Sequence, residues 1–138
     1  MLIDGEHIAV QSIAIARYAA KLANLYPKEN LEALQADMCV DTLHDLFTLG
    51  APIFYFINDV DEKAKAIDIY LSDTIPQLLG GLEAMAHEDH FVSKQLTYAD
   101  VYMHYVVHDL LQAHIAEFDI SIYPKVQSIV NTMAKLTK

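Results

Sequence analysis

The pair Gln11-Ser12 stands where a short apolar run, Ile8-Ala9-Val10, gives way to residues at helical spacing. A hydroxyl at a helix start lies beside the unpaired N–H groups of the first turn and the positive end of the helix dipole. That setting favours a carboxylate or a phosphate. Ser12 reads as the N-cap of the helix, and Gln11 adds a neutral amide alongside. A second group is Asp37, Asp41 and Asp45, at i, i+4 and i+8, with His44 beside the last. Like charges at this spacing repel by a few tenths of a kcal/mol per pair, so a compensating cation is expected. Arg17 and Lys21, also four apart, can supply it within one chain or across a two-fold axis, where a patch meets its own copy.

Other constellations carry less. His104 and His108 lie four apart, but the position beside the first histidine, where zinc helices carry a glutamate, is Tyr105. No metal is expected there, and only a weak, reversible divalent ion at Asp41, His44 and Asp45 stands as an alternative. Tyr98, Tyr102 and Tyr105 read as core residues with their hydroxyls at its edge. No catalytic residue is nominated.

The elements that position these groups follow from periodicity. Leu2-Ile3, the turn pair Asp4-Gly5 and the run Ile8-Ala9-Val10 predict a hairpin. From Ser12 the spacing predicts a helix, which Tyr26-Pro27 ends. Asn30 reads as the N-cap of a helix of about 40 Å running to Ile57, with a bend at Gly50 and Pro52. The pattern resumes at Ala64 and runs to Met85, with an interruption expected at Pro76 and Gly80-Gly81. His87 to Gln95 loses the period, although Phe91 and Val92 are expected to tuck against the core. Thr97 with Asp100 three residues on forms a capping box for a helix reaching about Ile115. Pro124 begins the last helix.

A chain of 138 residues with 54% apolar content supports one cored unit. Its 9 basic and 19 acidic residues give a net charge of -10, which repels phosphate backbones, so nucleic acid is not an expected partner. The single cysteine, Cys39, excludes an internal disulfide and fits a reducing, cytoplasmic setting. No window approaches the roughly 18 consecutive apolar residues of a membrane helix, so no membrane partner is expected.

The run Ile3-Asp4-Gly5 followed by Gln11-Ser12-x-Ala14-Ile15-x-Arg17-Tyr18 resembles the strand, turn and helix that close the glutathione half-site of glutathione transferases, the sigma class most closely. Phe91 to Asp100 resembles the capping box that opens the central helix of the family's helical domain, with Ser93 where the family usually has Gly. The resemblance implies a mainly α fold. Residues 1–26 would be a hairpin and helix left from a thioredoxin-like domain, and residues 27–138 a helical bundle of the transferase C-terminal type. It also implies that Gln11 and Ser12 hold the γ-glutamyl carboxylate of glutathione, and that Asp45 reaches the amine of glutathione bound to a neighbouring subunit. The subunit interface would then form around Arg17, Lys21, Asp37 and Asp41 of a homodimer. The expected activity is conjugation of glutathione to small apolar electrophiles where the chain is complete or complemented, because the family's thiol-activating tyrosine strand would precede this sequence. The alternative is a non-catalytic dimerisation or binding module.

Overall fold

The computed structural model describes the backbone of residues 2–3 and, in full, residues 5–93 and 95–136. The chain is mainly α, and the strands β1 (Leu2–Ile3) and β2 (His7–Ile8) pair antiparallel with Leu2 opposite Ile8. Gly5 takes a left-handed φ of 76° in the turn, as a tight hairpin requires. Asp4, its predicted companion, lies outside the described residues, as does Lys94. The second strand is shorter than predicted and ends before Ala9-Val10.

Helix α1 (Ser12–Leu22) precedes the long helix α2 (Asn30–Tyr55), which runs unbroken through Gly50 and Pro52. Glu29, not Asn30, caps α2. Its carboxylate accepts from the N–H groups of Leu31 and Glu32 at 2.8 and 3.2 Å. The longer side chain reaches donors that the predicted asparagine cap would have served, and Asn30 becomes the first helical residue. Helices α3 (Val60–Ile69) and α4 (Ile75–Met85) form one rod joined by a wide π turn over Tyr70–Thr74. Pro76 has no N–H to offer the preceding turn, and the slipped register, in which Ile75 N–H bonds Tyr70 C=O, accommodates that loss. The glycine pair causes no break.

Helix α5 (Tyr98–His104) continues as a π segment, Tyr105–Gln112, and α6 (Pro124–Leu136) closes the bundle. Tyr98, Ala99, Met103, Val106, Val107, Leu110 and Leu111 are all buried on one broad apolar face of the α5 rod, while Val101, Tyr105, His108 and Asp109 are exposed on the other. It packs against α1, α2 and α6 and is the axis of the bundle. Phe91 and Val92 are buried as expected. Ser93 holds a left-handed φ of 55°, a conformation that glycine adopts without strain.

Gly50 has no room for a side chain. A Cβ there would stand 2.8 Å from the Tyr70 hydroxyl, which donates to Leu46 C=O at 2.7 Å, and 2.9 Å from the Phe54 ring. Gly50→Ala gains about 1 kcal/mol in helix propensity but overpacks this contact by about 2–3 kcal/mol. The expected net loss is about 1–2 kcal/mol, read as a lower urea midpoint with unchanged slope.

Candidate functional site

Gln11 leaves the hairpin with φ 72° and ψ 110°, and α1 begins at the next residue. Gln11 is therefore the N-cap and Ser12 the first helical residue, which corrects the predicted cap by one position. The left-handed φ on a non-glycine residue costs about 1 kcal/mol, and strain of this kind concentrates where a ligand or switch makes use of it. Both side chains are exposed. No side chain caps the helix, and its first turn holds no acidic residue.

The other independent helix starts differ. Glu29 caps α2, and the Asp59 carboxylate accepts from Glu62 N–H at 2.9 Å in α3. Asp100 accepts from Thr97 N–H at 2.7 Å, and the reciprocal capping box expected for α5 is formed. Glu83, reaching over from α4, accepts from the N–H groups of Lys125 and Val126 at 3.1 and 2.9 Å and so caps α6. Each of these starts is filled by a carboxylate from the chain itself. Among the described residues the α1 start receives no side-chain carboxylate.

The aspartate row divides. Asp37 accepts from Arg17 Nε at 2.9 Å, from the Tyr26 hydroxyl at 3.1 Å and from the Tyr98 hydroxyl, which joins α1, the connection after it, α2 and α5 at one carboxylate. Burial alone would raise its pKa, but the hydrogen bonds from Tyr98, Arg17 and Tyr26 outweigh that and hold it below the ordinary carboxylate value. Burial and the Asp37 bond push the Tyr98 hydroxyl upward. Asp41 is more exposed and meets Arg17 at 3.5 Å. The Arg17 pairing is thus made within one chain. Lys21 lies 4.7 Å over the Tyr26 ring.

Asp45 is exposed and lines a groove of about 390 Å³ with Thr48, Leu49, Thr74, Gln77 and Leu78, between α2 and the α3–α4 rod. No residue of α1 lines that groove, so Asp45 and Ser12 serve different surfaces of one chain. Its neighbour His44 turns away to meet the Tyr102 hydroxyl at 3.2 Å. Tyr98 is buried and Tyr102 half-buried, but Tyr105 is exposed. His104 and His108 stack at 5.1 Å, with His104 Nδ1 3.2 Å from Val130 C=O and His108 Nδ1 2.7 Å from Asp109. Among the described residues no three His, Cys, Asp or Glu side chains gather as a metal site. Among them, too, no helix is long and apolar enough to cross a membrane.

Sequence reasoning missed the convergence of Tyr26 and Tyr98 on Asp37. Tyr26 reads only as part of a helix-breaking Tyr-Pro pair, and nothing local links either tyrosine to an aspartate that lies 11 and 61 residues away.

Residues 44–138 match the family model described as "Glutathione S-transferase, C-terminal domain". Over 122 residues the chain is 35% identical to the hematopoietic prostaglandin D synthase of Mus musculus, covering 88% of this chain and 59% of that protein. It is also 31% identical to glutathione S-transferase S1 of Drosophila melanogaster, covering 97% of this chain and 53% of that protein. The chain therefore spans little more than half the length of the curated relatives it matches. The solved prostaglandin synthase D of Nilaparvata lugens shares the fold at a TM-score of 0.81 and 24% identity, over 97% of this chain and 66% of that one. Rat hPGDS complexed with a quinoline superposes at a TM-score of 0.77 and 29% identity, over 98% and 69%.

Proposed function

Because the chain belongs to the glutathione S-transferase family, we propose that it binds glutathione at the start of α1. The γ-glutamyl carboxylate sits on the N–H groups of the first turn beside the Ser12 hydroxyl and the Gln11 amide. The observation that carries this reading is the α1 start itself, uncapped by any side chain, while α2, α3, α5 and α6 each receive a carboxylate from the chain. Helix N–H groups and dipole suit a carboxylate ligand, and the neutral surroundings leave the net charge to the ligand.

The amine of the same head is assigned to Asp45 of a second copy in a homodimer. In support, Asp45 is exposed on a groove away from α1, where it is free to serve a partner's site. Leu31, Leu34, Met38 and Leu49 of α2 and Met85 of α4 are exposed apolar side chains of the kind an interface covers. Arg17, Lys21, Asp37 and Asp41 are proposed to flank that interface, with Arg17 and Asp37 positioned by their own chain. The protein is assigned to the cytoplasm, where glutathione is abundant and a lone thiol stays reduced.

Conjugation to small apolar electrophiles follows where a hydroxyl or other donor stabilises the glutathione thiolate. The second reading, a binding and dimerisation module without chemistry, is favoured by one observation. Tyr26 and Tyr98 donate to Asp37 and Tyr70 to Leu46 C=O, while Tyr102 meets His44 and Tyr55 meets His114. These five hydroxyls are committed away from the α1 start, and burial raises Tyr26, Tyr70, Tyr98 and Tyr102.

Calorimetric titration with glutathione tests the site. Ser12→Ala and Asp45→Ala are each expected to weaken binding by roughly tenfold, the size of one lost hydrogen bond to a charged group. Unchanged affinity in both would remove the assignment. Turnover of a generic aromatic electrophile by the purified protein separates the two readings, since near-background rates with intact binding leave the module.

A further inference from the structure

We propose that His104 and His108 form a two-imidazole clip for a borderline divalent cation such as zinc, on the α5 rod beside α6. The two rings stack with their centroids 5.1 Å apart and their planes 14° from parallel, so they already lie side by side. His104 is half-buried and His108 exposed, and an ion reaches the pair from solvent.

The hydrogen bonds behind the rings give the arrangement its chemistry. His104 Nδ1 stands 3.2 Å from Val130 C=O of α6, and His108 Nδ1 stands 2.7 Å from the Asp109 carboxylate. A carbonyl and an ionised carboxylate only accept, so each Nδ1 carries a ring proton and donates it. In the neutral rings that tautomer leaves the lone pair on Nε2, the atom a metal takes. Histidine ligands are commonly held this way, the other nitrogen bonded to a carboxylate or a backbone carbonyl, which fixes the ring and makes it more basic. Spacing alone gives two neighbours on a helix. The two tethers, one from α6 and one from the rod itself, give both rings the same free acceptor.

Imidazole nitrogen suits zinc, nickel and copper(II), whereas magnesium and calcium take oxygen ligands. Two protein ligands are fewer than the three or four of catalytic and structural zinc sites, so water completes the sphere and the ion exchanges. The glutamate absent beside His104 is the general base of hydrolytic zinc helices, and a clip that only holds an ion needs none. Bonds of about 2 Å to one ion bring two nitrogens to roughly 3 Å from each other. The exposed His108 ring is the one that tilts to close that gap. The π register that begins at Tyr105 sets the step between the two rings, and π turns recur at functional sites. Because His104 is tied to Val130, the bound ion also fastens α5 to α6.

Zinc chloride titrated into the nitrogen-labelled protein at physiological ionic strength, with the imidazole nitrogens followed by NMR, tests the clip. The Nε2 signals of His104 and His108 are expected to shift together and saturably, and magnesium chloride should leave both unmoved. His108→Gln, at an exposed position, should weaken zinc binding by at least about tenfold, and Asp109→Ala, which removes only a tether, by roughly tenfold. His87→Gln, in the histidine-bearing turn after α4, should leave the affinity unchanged. A shift in one ring of the pair without the other, an equal response to magnesium, an affinity that survives His108→Gln or Asp109→Ala, or one lost with His87→Gln would overturn the proposal.

Discussion

Asp100→Ala is expected to destabilise the protein by about 4 kcal/mol, lowering the thermal midpoint by roughly 12–16 °C. The carboxylate is fully buried and answers Phe91 N–H, Thr97 N–H and the Thr97 hydroxyl. An alanine leaves all three without an acceptor in a site that water does not reach, and it opens a cavity beneath Phe91 and Val92, which are themselves buried. Asp100→Asn keeps one acceptor oxygen but turns an NH2 group toward donors, so about 2 kcal/mol is expected. Differential scanning calorimetry checks the order. Because burial raises the Asp100 carboxyl, ionising it costs stability as pH rises through the carboxylate range, and the alanine variant should lose that slope.

Asp37→Ala is expected to cost about 2 kcal/mol, less than a fully buried centre would, because about a quarter of each side chain in the Arg17–Asp37 pair is exposed and water screens the loss. Its consequence is local. Arg17, Tyr26 and Tyr98 lose their common acceptor, and α1 loses its charged tie to α2. Amide protection across residues 12–22 should fall by roughly thirtyfold if α1 opens alone. If glutathione binds at the α1 start as proposed, its affinity should fall with that protection. The pH sign is opposite to that of Asp100. The Asp37 carboxyl is held low in the folded state, so its contribution is present above the ordinary carboxylate value near pH 4 and is lost as pH falls through the lower, folded value. In the alanine variant the acid limb of the stability curve should be shallower.

Local chemistry made much of this readable. Thr97 and Asp100 form their box because a capping signal needs only four consecutive residues, and the helix periods follow from apolar spacing along α1 to α6. What escaped reading depends on partners distant in sequence. Glu83 caps a helix that begins 41 residues later, and Asp37 gathers donors from three elements. Asp37, Asp41 and Asp45 look equivalent at i+4 spacing. Each step, however, turns about 40° around the helix, so the row passes from a half-buried centre to an exposed groove. Neither π turn has a sequence signature of its own apart from Pro76. The α1 start is a candidate anion site from its residue types alone. That it lacks, among the described residues, the carboxylate found at the starts of α2, α3, α5 and α6 became visible only once those caps were in place.

The central claim is that the N–H groups opening α1 take the γ-glutamyl carboxylate of glutathione. Titrating glutathione into the nitrogen-labelled protein and following the amides of Ser12, Ile13 and Ala14 tests it most directly. These three should shift together and saturably with glutathione, and stay still with the cysteinylglycine dipeptide, which lacks the γ-glutamyl head. Amides at the α1 start that remain unmoved while others respond, or that move equally with the dipeptide, would contradict it.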